Sequence, residues 1–394
     1  MERGLVTVTS PGIVSGVTDD RESLVGLVQQ LTDAESPSHD DDALRACAEV
    51  LSRLAEEVVG VPADHVTVRD GGPPALRVRC GGDASEGRVL LLGHYDTVWP
   101  LGTLEQRPFT VEDGRITGPG VFDMKAGLAQ ALLAMRAVGC DKDAGPAVTL
   151  LVTYDEEVGS PDCRALLEKT AEEAQAVLVL EPAGPGGAPK NGRKGWARYE
   201  VVVTGRAAHV GLDPEAGRNA LVDLARLVTD LDRLDRGRPG LRVIPTTAQA
   251  GQSSNTIPGQ ARLNVDVRGE RADDLVWLED ELRALVSDAG SDCELALTGG
   301  LNRPPMEPDT AEALTERAAR CARDLGVDLP APVAVGGVSD GNFTAALRVP
   351  TLDGLGAVGG GAHAEHEWVD ATSMPRQAGL LAALVHDLTA VPLR

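Results

Sequence analysis

The chain has few aromatic residues. Phe, Trp and Tyr make up 3% of its 394 residues, so any hydrophobic core must be built mainly from aliphatic side chains. The sequence also lacks any apolar run near the ~18 residues needed to cross a bilayer. Its first segment, Met1 to Asp20, lacks the basic start and long apolar stretch of a secretion signal. These absences predict a protein that is neither secreted nor membrane-bound, and we expect a cytoplasmic location.

Paired cysteines and an excess of basic residues are also missing. The six cysteines are far apart and none forms a Cys-x-x-Cys pair, so we predict buried free thiols rather than a disulfide framework or a zinc knuckle. Lys and Arg number 37 against 60 Asp and Glu, which gives a formal net charge of -23. A surface this acidic repels nucleic acid and anionic membranes, so we expect neither as a partner. A locally positive pocket would still admit an anionic small molecule.

Short apolar runs alternate with helical patterns in the first half of the chain. The runs Val89–Leu92, Val148–Thr153 and Ala176–Leu180 are bounded by glycine and charged residues, as is typical of strands buried on both faces. Helical patterns cover Asp123–Val138 and Asp162–Ala174. This alternation predicts an α/β fold with a mixed, mainly parallel sheet flanked by helices.

The pattern changes near the middle of the chain. The segment Pro182–Gly195 is rich in glycine and proline and is predicted to be a domain linker. From Trp196 to about Leu301 the order strand, helix, strand, strand, helix, strand predicts a βαββαβ module of ferredoxin-like type with its own core. The predicted domains are a catalytic domain in two parts, 1–192 and 305–394, and an inserted domain, 193–304.

Polar residues follow each predicted strand. His94 and Asp96 are two residues apart in a strand, so their side chains point to the same side. Such a pair suits a zinc ligand and the carboxylate that orients it, and equally a loop histidine with a capping aspartate. Asp123 opens a predicted helix, where it is either an ordinary N-cap or a site residue.

A run of three carboxylates, Asp155, Glu156 and Glu157, directly follows a predicted buried strand. Their mutual repulsion is costly unless a cation or a shared proton relieves it. A helix N-terminus just beyond explains one acid more readily than three. Glu181 ends the next apolar run, so a fourth acid lies at a strand end.

The last motif is Gly359–His363, followed by Glu365, His366 and Glu367. All five motifs lie in loops at predicted strand ends, where open α/β sheets place their sites. Two histidines and several carboxylates suit Zn²⁺, with Mn²⁺ or Co²⁺ as possible substitutes. One carboxylate bridging two ions ~3.5–4 Å apart would make a two-metal hydrolase site.

In this order, the motifs from about Ser36 to the C-terminus resemble the dinuclear zinc family of aminoacylases, succinyl-diaminopimelate desuccinylases and glutamate carboxypeptidases. The resemblance is closest to the glutamate carboxypeptidase branch. It implies two Zn²⁺ per subunit and an inserted lid domain through which relatives often form homodimers. The metal ligands that it implies are His94, Asp123, Glu157, Glu181 and His363.

The resemblance also implies individual roles. Asp96 would orient the first histidine, Asp123 would bridge the two ions and precede a cis peptide bond, and Glu156 would be the general base. His209 matches a lid histidine that reaches the partner subunit's active site. Asn255 and Arg268 match lid residues that face substrate, and Arg303 matches an arginine that holds the substrate carboxylate.

These expectations lead to a two-zinc hydrolase that cuts the amide bond of an N-acyl or peptidyl amino acid and releases a carboxylate-bearing amino acid. An N-acetyl or N-succinyl amino acid deacylase, or an enzyme of amide chemistry on a biosynthetic intermediate, uses the same ligand set. A catalytically silent, dimeric binding protein is an alternative of another class. The presence of every expected ligand and of Glu156 disfavours it.

Overall fold

The computed structural model describes residues 20–81, 87–141, 145–287 and 291–393. Its α-helices are α1 (Arg21–Asp33), α2 (Asp41–Val59), α3 (Thr103–Gln106), α4 (Ala126–Ala137), α5 (Arg164–Glu172), α6 (Ala220–Asp235), α7 (Ala272–Ser287), α8 (Glu312–Asp324), α9 (Gly341–Ala346) and α10 (Met374–Ala390).

The strands are β1 (Asp64–Val66), β2 (Ala75–Cys80), β3 (Arg88–His94), β4 (Thr110–Glu112), β5 (Arg115–Thr117), β6 (Val148–Thr153), β7 (Ala174–Val179), β8 (Lys190–Arg193), β9 (Gly195–Thr204), β10 (Ala208–His209), β11 (Leu241–Ala250), β12 (Thr256–Ile257), β13 (Gln260–Gly269), β14 (Glu294–Arg303), β15 (Val333–Val335), β16 (Thr351–Leu352), β17 (Gly359–Gly360) and β18 (Trp368–Asp370).

The described residues form two compact units. The first unit comprises residues within 1–192, 308–335 and 339–394, and the second comprises 193–307 and 336–338.

The first unit is built on a six-stranded sheet with the order β1-β2-β6-β3-β7-β16. The strands β6, β3, β7 and β16 are parallel, while β2 runs antiparallel to β6 and β1 antiparallel to β2. Every residue of β3 and β6 is buried, as expected for strands covered on both faces. Leu167 of α5 and Phe343 of α9 pack in one core with Leu90, Leu92 and other sheet residues. The prediction of a mixed, mainly parallel α/β sheet is confirmed.

One local prediction for the first unit is wrong. Asp123 does not cap a helix, because α4 begins only at Ala126 and residues Val121–Lys125 form a wider turn that includes a cis Asp123–Met124 peptide bond. The segment Pro182–Gly195, predicted to be a domain linker, contains the boundary between the two units, after Gly192. It is largely buried and includes β8, because its backbone groups pair with other parts of the first unit, as where Lys190 N donates to Asp353 O.

The second unit has the predicted βαββαβ order, β9-α6-β11-β13-α7-β14, with a four-stranded antiparallel sheet ordered β11-β13-β9-β14. Inward residues alternate along β9 and β13 and pack with leucines of α6 and α7, among them Leu227 and Leu278. The side chain of Asn219 accepts hydrogen bonds from the Leu221 and Val222 amides and so caps α6.

The six cysteines are buried free thiols, as predicted. Within the described ranges, no helix combines the length and apolar character needed to cross a bilayer. The expectation that Met1 to Asp20 is not a secretion signal falls on residues 1–19, which lie outside the described residues.

Candidate active site

Three neighbouring parallel strands, β3, β6 and β7, bring the first candidate residues together. His94 is the last residue of β3, Glu156 and Glu157 lie in the turn after β6, and Glu181 follows β7. Because the carboxyl ends of adjacent parallel strands meet at one edge of a sheet, these side chains converge. Atoms of His94, Glu156 and Glu181 lie within 4.8 Å of one another, and so do atoms of His94, Asp123 and Glu157.

The imidazole of His94 is oriented through its Nδ1 atom. Its Nδ1 lies 3.0 Å from the backbone oxygen of Asp96 and 3.3 Å from the Asp96 carboxylate. Nδ1–H therefore donates towards Asp96, which leaves Nε2 as the lone-pair nitrogen. Nε2 lies 3.4 Å from Asp123 Oδ1 and 3.5 Å from Glu181 Oε1.

Asp123 lies between the two histidines, with one carboxylate oxygen towards each. Its Oδ1 faces His94, and its Oδ2 lies 3.4 Å from His363 Nε2. The same His363 nitrogen lies 3.1 Å from Glu157 Oε2. His363 has a left-handed backbone with φ 61°, a conformation that is uncommon outside glycine and that recurs at functional sites.

The separations fit a shared metal ion better than direct hydrogen bonds. Bonds of ~2.1 Å from a tetrahedral Zn²⁺ place neighbouring ligand atoms ~3.4 Å apart. Four of the nitrogen–oxygen distances are 3.1, 3.4, 3.4 and 3.5 Å. Furthermore, His94 Nε2 and Asp123 Oδ1 are buried without a hydrogen-bond partner, which native structures rarely tolerate. The donor set therefore fits divalent cations of the zinc type.

The charges around the two imidazoles also favour a bound cation. Burial alone would lower the pKa of His94, but the surrounding Asp123, Asp96 and Glu181 raise it well above its usual value. Asp123 and Glu157 together raise the pKa of His363 to about 10. Without a cation, protons supply the positive charge that these carboxylates need, and a metal ion would have to displace those protons.

The pKa values of the Asp123 and Glu157 carboxyl groups shift in opposite directions. Burial favours the neutral form of Asp123, yet His363 and His94 outweigh it and lower the pKa of this carboxyl. Burial raises the pKa of Glu157 despite the nearby His363.

Asp155, the first of the three consecutive acids, is bound at a helix N-terminus, as expected for one of them. Asp155 Oδ2 accepts hydrogen bonds from the Asp162 and Cys163 amides, at the start of α5. This leaves Glu156 and Glu157 for the site.

Asp96 has a wider role than orienting a histidine. Its fully buried carboxylate accepts hydrogen bonds from the Glu156 and Glu157 amides, at 3.3 and 3.2 Å, and from Ser38 Oγ at 2.7 Å. The turn that carries Glu156 and Glu157 is therefore positioned by the same residue as His94.

Sequence reasoning missed two other buried carboxylates that hold the same loops. Asp340 accepts hydrogen bonds from Thr153 Oγ1 at 3.0 Å and from Ser160 Oγ, at the two ends of the segment that carries Glu156 and Glu157. Glu367 accepts hydrogen bonds from backbone amides in the loop of Asp123. The proximity of Glu367 to His363 in the sequence was a usable signal, whereas nothing in the sequence near Asp340 points to its partners.

The sequence also contains a Gly-x-Ser-x-Gly segment at 337–341. Its serine, Ser339, is fully buried, donates a hydrogen bond to Asp353 Oδ2 and accepts one from the Gly341 amide. These contacts make Ser339 a structural residue at the start of α9 rather than an exposed nucleophile.

The other predicted site residues lie in the second unit. His209 is exposed, and its Nδ1 accepts hydrogen bonds from the Gly211 and Leu212 amides. The neutral ring must then carry its proton on Nε2, where it can be donated outward. The backbone oxygen of Asn255 accepts a hydrogen bond from the Val210 amide, so β12 and the His209 loop are held together.

The two predicted substrate-binding arginines are less available than expected. Arg268 donates to Asp266 Oδ1 at 2.8 Å and lies over the Trp196 ring. Arg303 is 1% exposed and ends β14 opposite Trp196. A substrate carboxylate would have to compete with Asp266 for Arg268, and Arg303 is buried. The substrate-binding roles of both arginines stay predictions.

Comparisons with known proteins agree with this arrangement. Residues 90–387 match the model of Peptidase family M20/M25/M40. Carboxypeptidase G2 from Pseudomonas sp. (strain RS-16) is 31% identical over 392 residues, covering 96% of this chain and 92% of that protein. Succinyl-diaminopimelate desuccinylase from Burkholderia ambifaria is 29% identical over 369 residues, covering 88% and 94%.

Among solved structures, aminopeptidase PepT from Bacillus cereus ATCC 10987 has a TM-score of 0.78 at 20% identity, covering 93% of this chain and 98% of that one. This similarity shows the shared fold. The family match across residues 90–387 and the 31% identity over almost the whole chain also show the family to which the chain belongs. This chain belongs to peptidase family M20/M25/M40 and is a metal-dependent amide hydrolase.

Proposed function

We propose that the protein binds two zinc ions and uses them to release a carboxylate-bearing amino acid from an N-acyl or peptidyl substrate. The observation that carries the proposal is the position of Asp123, which turns one oxygen towards His94 and the other towards His363. In this proposal His94 and Glu181 complete one metal site with Asp123. His363 and Glu157 complete the other, and Co²⁺ or Mn²⁺ would be possible substitutes.

The two ions would supply a water activated near neutral pH and a positive charge that polarises the scissile carbonyl. Glu156 supplies the proton transfer. Its carboxylate is buried, and its oxygens lie close to His94 and Glu181 without being needed as a ligand in either proposed site. It takes a proton from the attacking water and donates it to the leaving amine nitrogen.

His209 is proposed to stabilise the negative oxygen that develops as the carbonyl is attacked. The hydrogen bonds to its Nδ1 keep the proton on Nε2, which is the form that a donor to an oxyanion requires. In the proposed homodimer this histidine would serve the partner subunit. The exposed Ile244 on the edge strand β11 and the exposed Leu221 and Val222 on α6 support a dimer through this unit, because such apolar side chains gain from being covered.

Substrate recognition is proposed to involve Arg303, Arg268 and Asn255 of the second unit, which we propose to be an inserted lid and dimerisation domain. The likeness to carboxypeptidase G2 supports release of a carboxylate-bearing amino acid. An arginine fork recognises a carboxylate at two points, which suits such a product. The six free thiols further support a cytoplasmic location.

The likeness to succinyl-diaminopimelate desuccinylase favours a second candidate within the same chemistry, an N-acyl amino acid deacylase. A panel of N-acyl, N-succinyl and peptidyl amino acids, incubated with zinc-loaded protein, separates the two. We expect wild-type protein to release acidic amino acids from peptidyl substrates and the Glu156→Ala variant to release none. Release only from N-acetyl or N-succinyl substrates would identify a deacylase. No turnover despite two bound zinc ions would favour a biosynthetic substrate or a binding protein.

A further inference from the structure

Glu367 makes an unusual set of contacts for a residue outside the proposed ligand set. Its side chain is fully buried, and each carboxylate oxygen accepts two hydrogen bonds. Oε2 accepts from the Gly120 amide and Trp99 Nε1, both at 2.9 Å. Oε1 accepts from the Phe122 amide at 2.9 Å and the Asp123 amide at 3.1 Å.

These contacts join three segments that carry proposed metal ligands. Trp99 lies in the segment that follows His94, the three amides belong to the loop of Asp123, and Glu367 itself lies four residues after His363. The loop of Asp123 precedes α4 and has non-helical backbone at Asp123 and Met124, so a regular helix or strand does not supply acceptors for its amides. Glu367 provides acceptors for three of these amides.

Close packing leaves little freedom in this arrangement. Gly120 has a left-handed backbone with φ 72°, and a Cβ there would lie 2.6 Å from Thr97 Cγ2. A side chain at this position would therefore strain the loop, both through its left-handed backbone and through its contact with Thr97. Lys125 is also buried and lies near enough to interact electrostatically with Glu367.

We propose that Glu367 is a positioning residue that fixes the loop of Asp123, and thereby sets the geometry of both metal sites. A carboxylate that only filled a buried space would not need to bond the amide of Asp123 itself. Because Asp123 turns one oxygen towards each histidine, a shift of its backbone would change both sites together. Outer partners of metal ligands typically change metal affinity by ~10–100-fold.

The inference rests on the proposed two-metal function, and Glu367→Gln tests it. The amide nitrogen of glutamine cannot accept hydrogen bonds, so in either orientation of the amide two N–H donors lose their acceptor, and at least one is a backbone donor of the Asp123 loop. We expect ~10–100-fold weaker zinc binding, measured by competition with a chelating dye, and an altered visible absorption spectrum of bound Co²⁺. The matched control is Glu365→Gln, which makes the same change of charge at an exposed position in the same loop and should leave both measurements unchanged.

Wild-type zinc affinity and a wild-type cobalt spectrum in Glu367→Gln would overturn the inference, even if the metal-free variant melted at a lower temperature. If Glu367→Gln does not fold, Trp99→Phe decides the question, because it removes one of the four hydrogen bonds and keeps an aromatic ring. A several-fold loss of zinc affinity in that variant supports the inference, and unchanged affinity overturns it. Failure of the wild-type protein to take up two zinc ions would contradict the proposed function instead.

Discussion

The carbonyl oxygen of Leu180 lies against two glycines, and replacing one of them tests how firmly the neighbouring Glu181 is held. A Cβ at Gly127, in α4, would lie 2.2 Å from Leu180 O, and a Cβ at Gly356 would lie at the same distance from it. The Leu180 amide donates to Leu92 O and the Gly356 amide donates to Glu181 O, both at 2.9 Å. The end of β7 is therefore enclosed by backbone on several sides.

Gly127→Ala should destabilise the first unit although alanine is the better helix former. Within the helix, alanine is favoured over glycine by about 1 kcal/mol. The clash acts against this gain, because the added Cβ and Leu180 O must separate by roughly 1 Å. Both atoms are attached rigidly to the backbone, so no rotamer change can relieve the contact. Overpacking of this kind typically costs about 1–3 kcal/mol and occasionally more. We expect a net loss of about 1 kcal/mol in the free energy of unfolding, together with weaker zinc binding, because the shift carries Glu181 with it.

The assay is denaturant unfolding of the metal-free protein, followed by zinc titration of the folded variant. The control is Gly26→Ala in α1, where no atom lies within 4 Å of the added Cβ. There the same substitution should stabilise by about 0.5–1 kcal/mol and leave zinc binding unchanged. A Gly127→Ala protein with wild-type stability and wild-type zinc affinity would refute the argument that Glu181 is held by this close approach.

Three further predictions follow from the site and the core. Asp96→Asn should weaken zinc binding ~10–100-fold, because the amide of asparagine cannot replace all the hydrogen bonds that the carboxylate accepts; unchanged affinity in a competition titration would contradict this. Glu156→Gln should keep both metal ions and lose ~10²–10⁴-fold in kcat, since proton transfer is removed, and near-normal turnover would rule out its role as the base. Burial raises the pKa values of the phenols of Tyr95, Tyr154 and Tyr199, the last to about 12. The free energy of unfolding that depends on these phenols staying neutral is therefore fully present below pH 10, and it is lost as pH rises towards 12 and beyond. Absorbance at 295 nm should show little phenolate at pH 10 in the folded protein, and a midpoint near 10 with native circular dichroism would contradict this.

The candidate site was largely predictable because its residues lie where the sequence pattern changes. Buried strands read as apolar runs, and the polar residues that end β3, β6 and β7 had to meet once those strands were parallel. His94, Glu157 and Glu181 therefore emerged from local pattern alone. Their individual roles came from the family resemblance and stay predictions.

The parts that sequence reasoning missed depend on contacts over long separations. The helix was predicted to begin at Asp123, because an aspartate before an apolar helix is usually its N-cap. Here α4 begins only at Ala126, and the amide of Asp123 donates instead to Glu367, which lies 244 residues away. Asp340 bonds Ser160 across 180 residues, and no local pattern predicts such a partner. By contrast, the pairing of Arg268 with Asp266 could have been predicted from the sequence, since residues two apart on a strand share a face.

Anomalous X-ray diffraction at the zinc absorption edge, on crystals of the zinc-loaded protein, tests the central claim most directly. The proposed two-metal site predicts two peaks ~3.5–4 Å apart on either side of Asp123, one beside His94 and Glu181 and the other beside His363 and Glu157. A single peak, or zinc bound away from Asp123, would contradict the account.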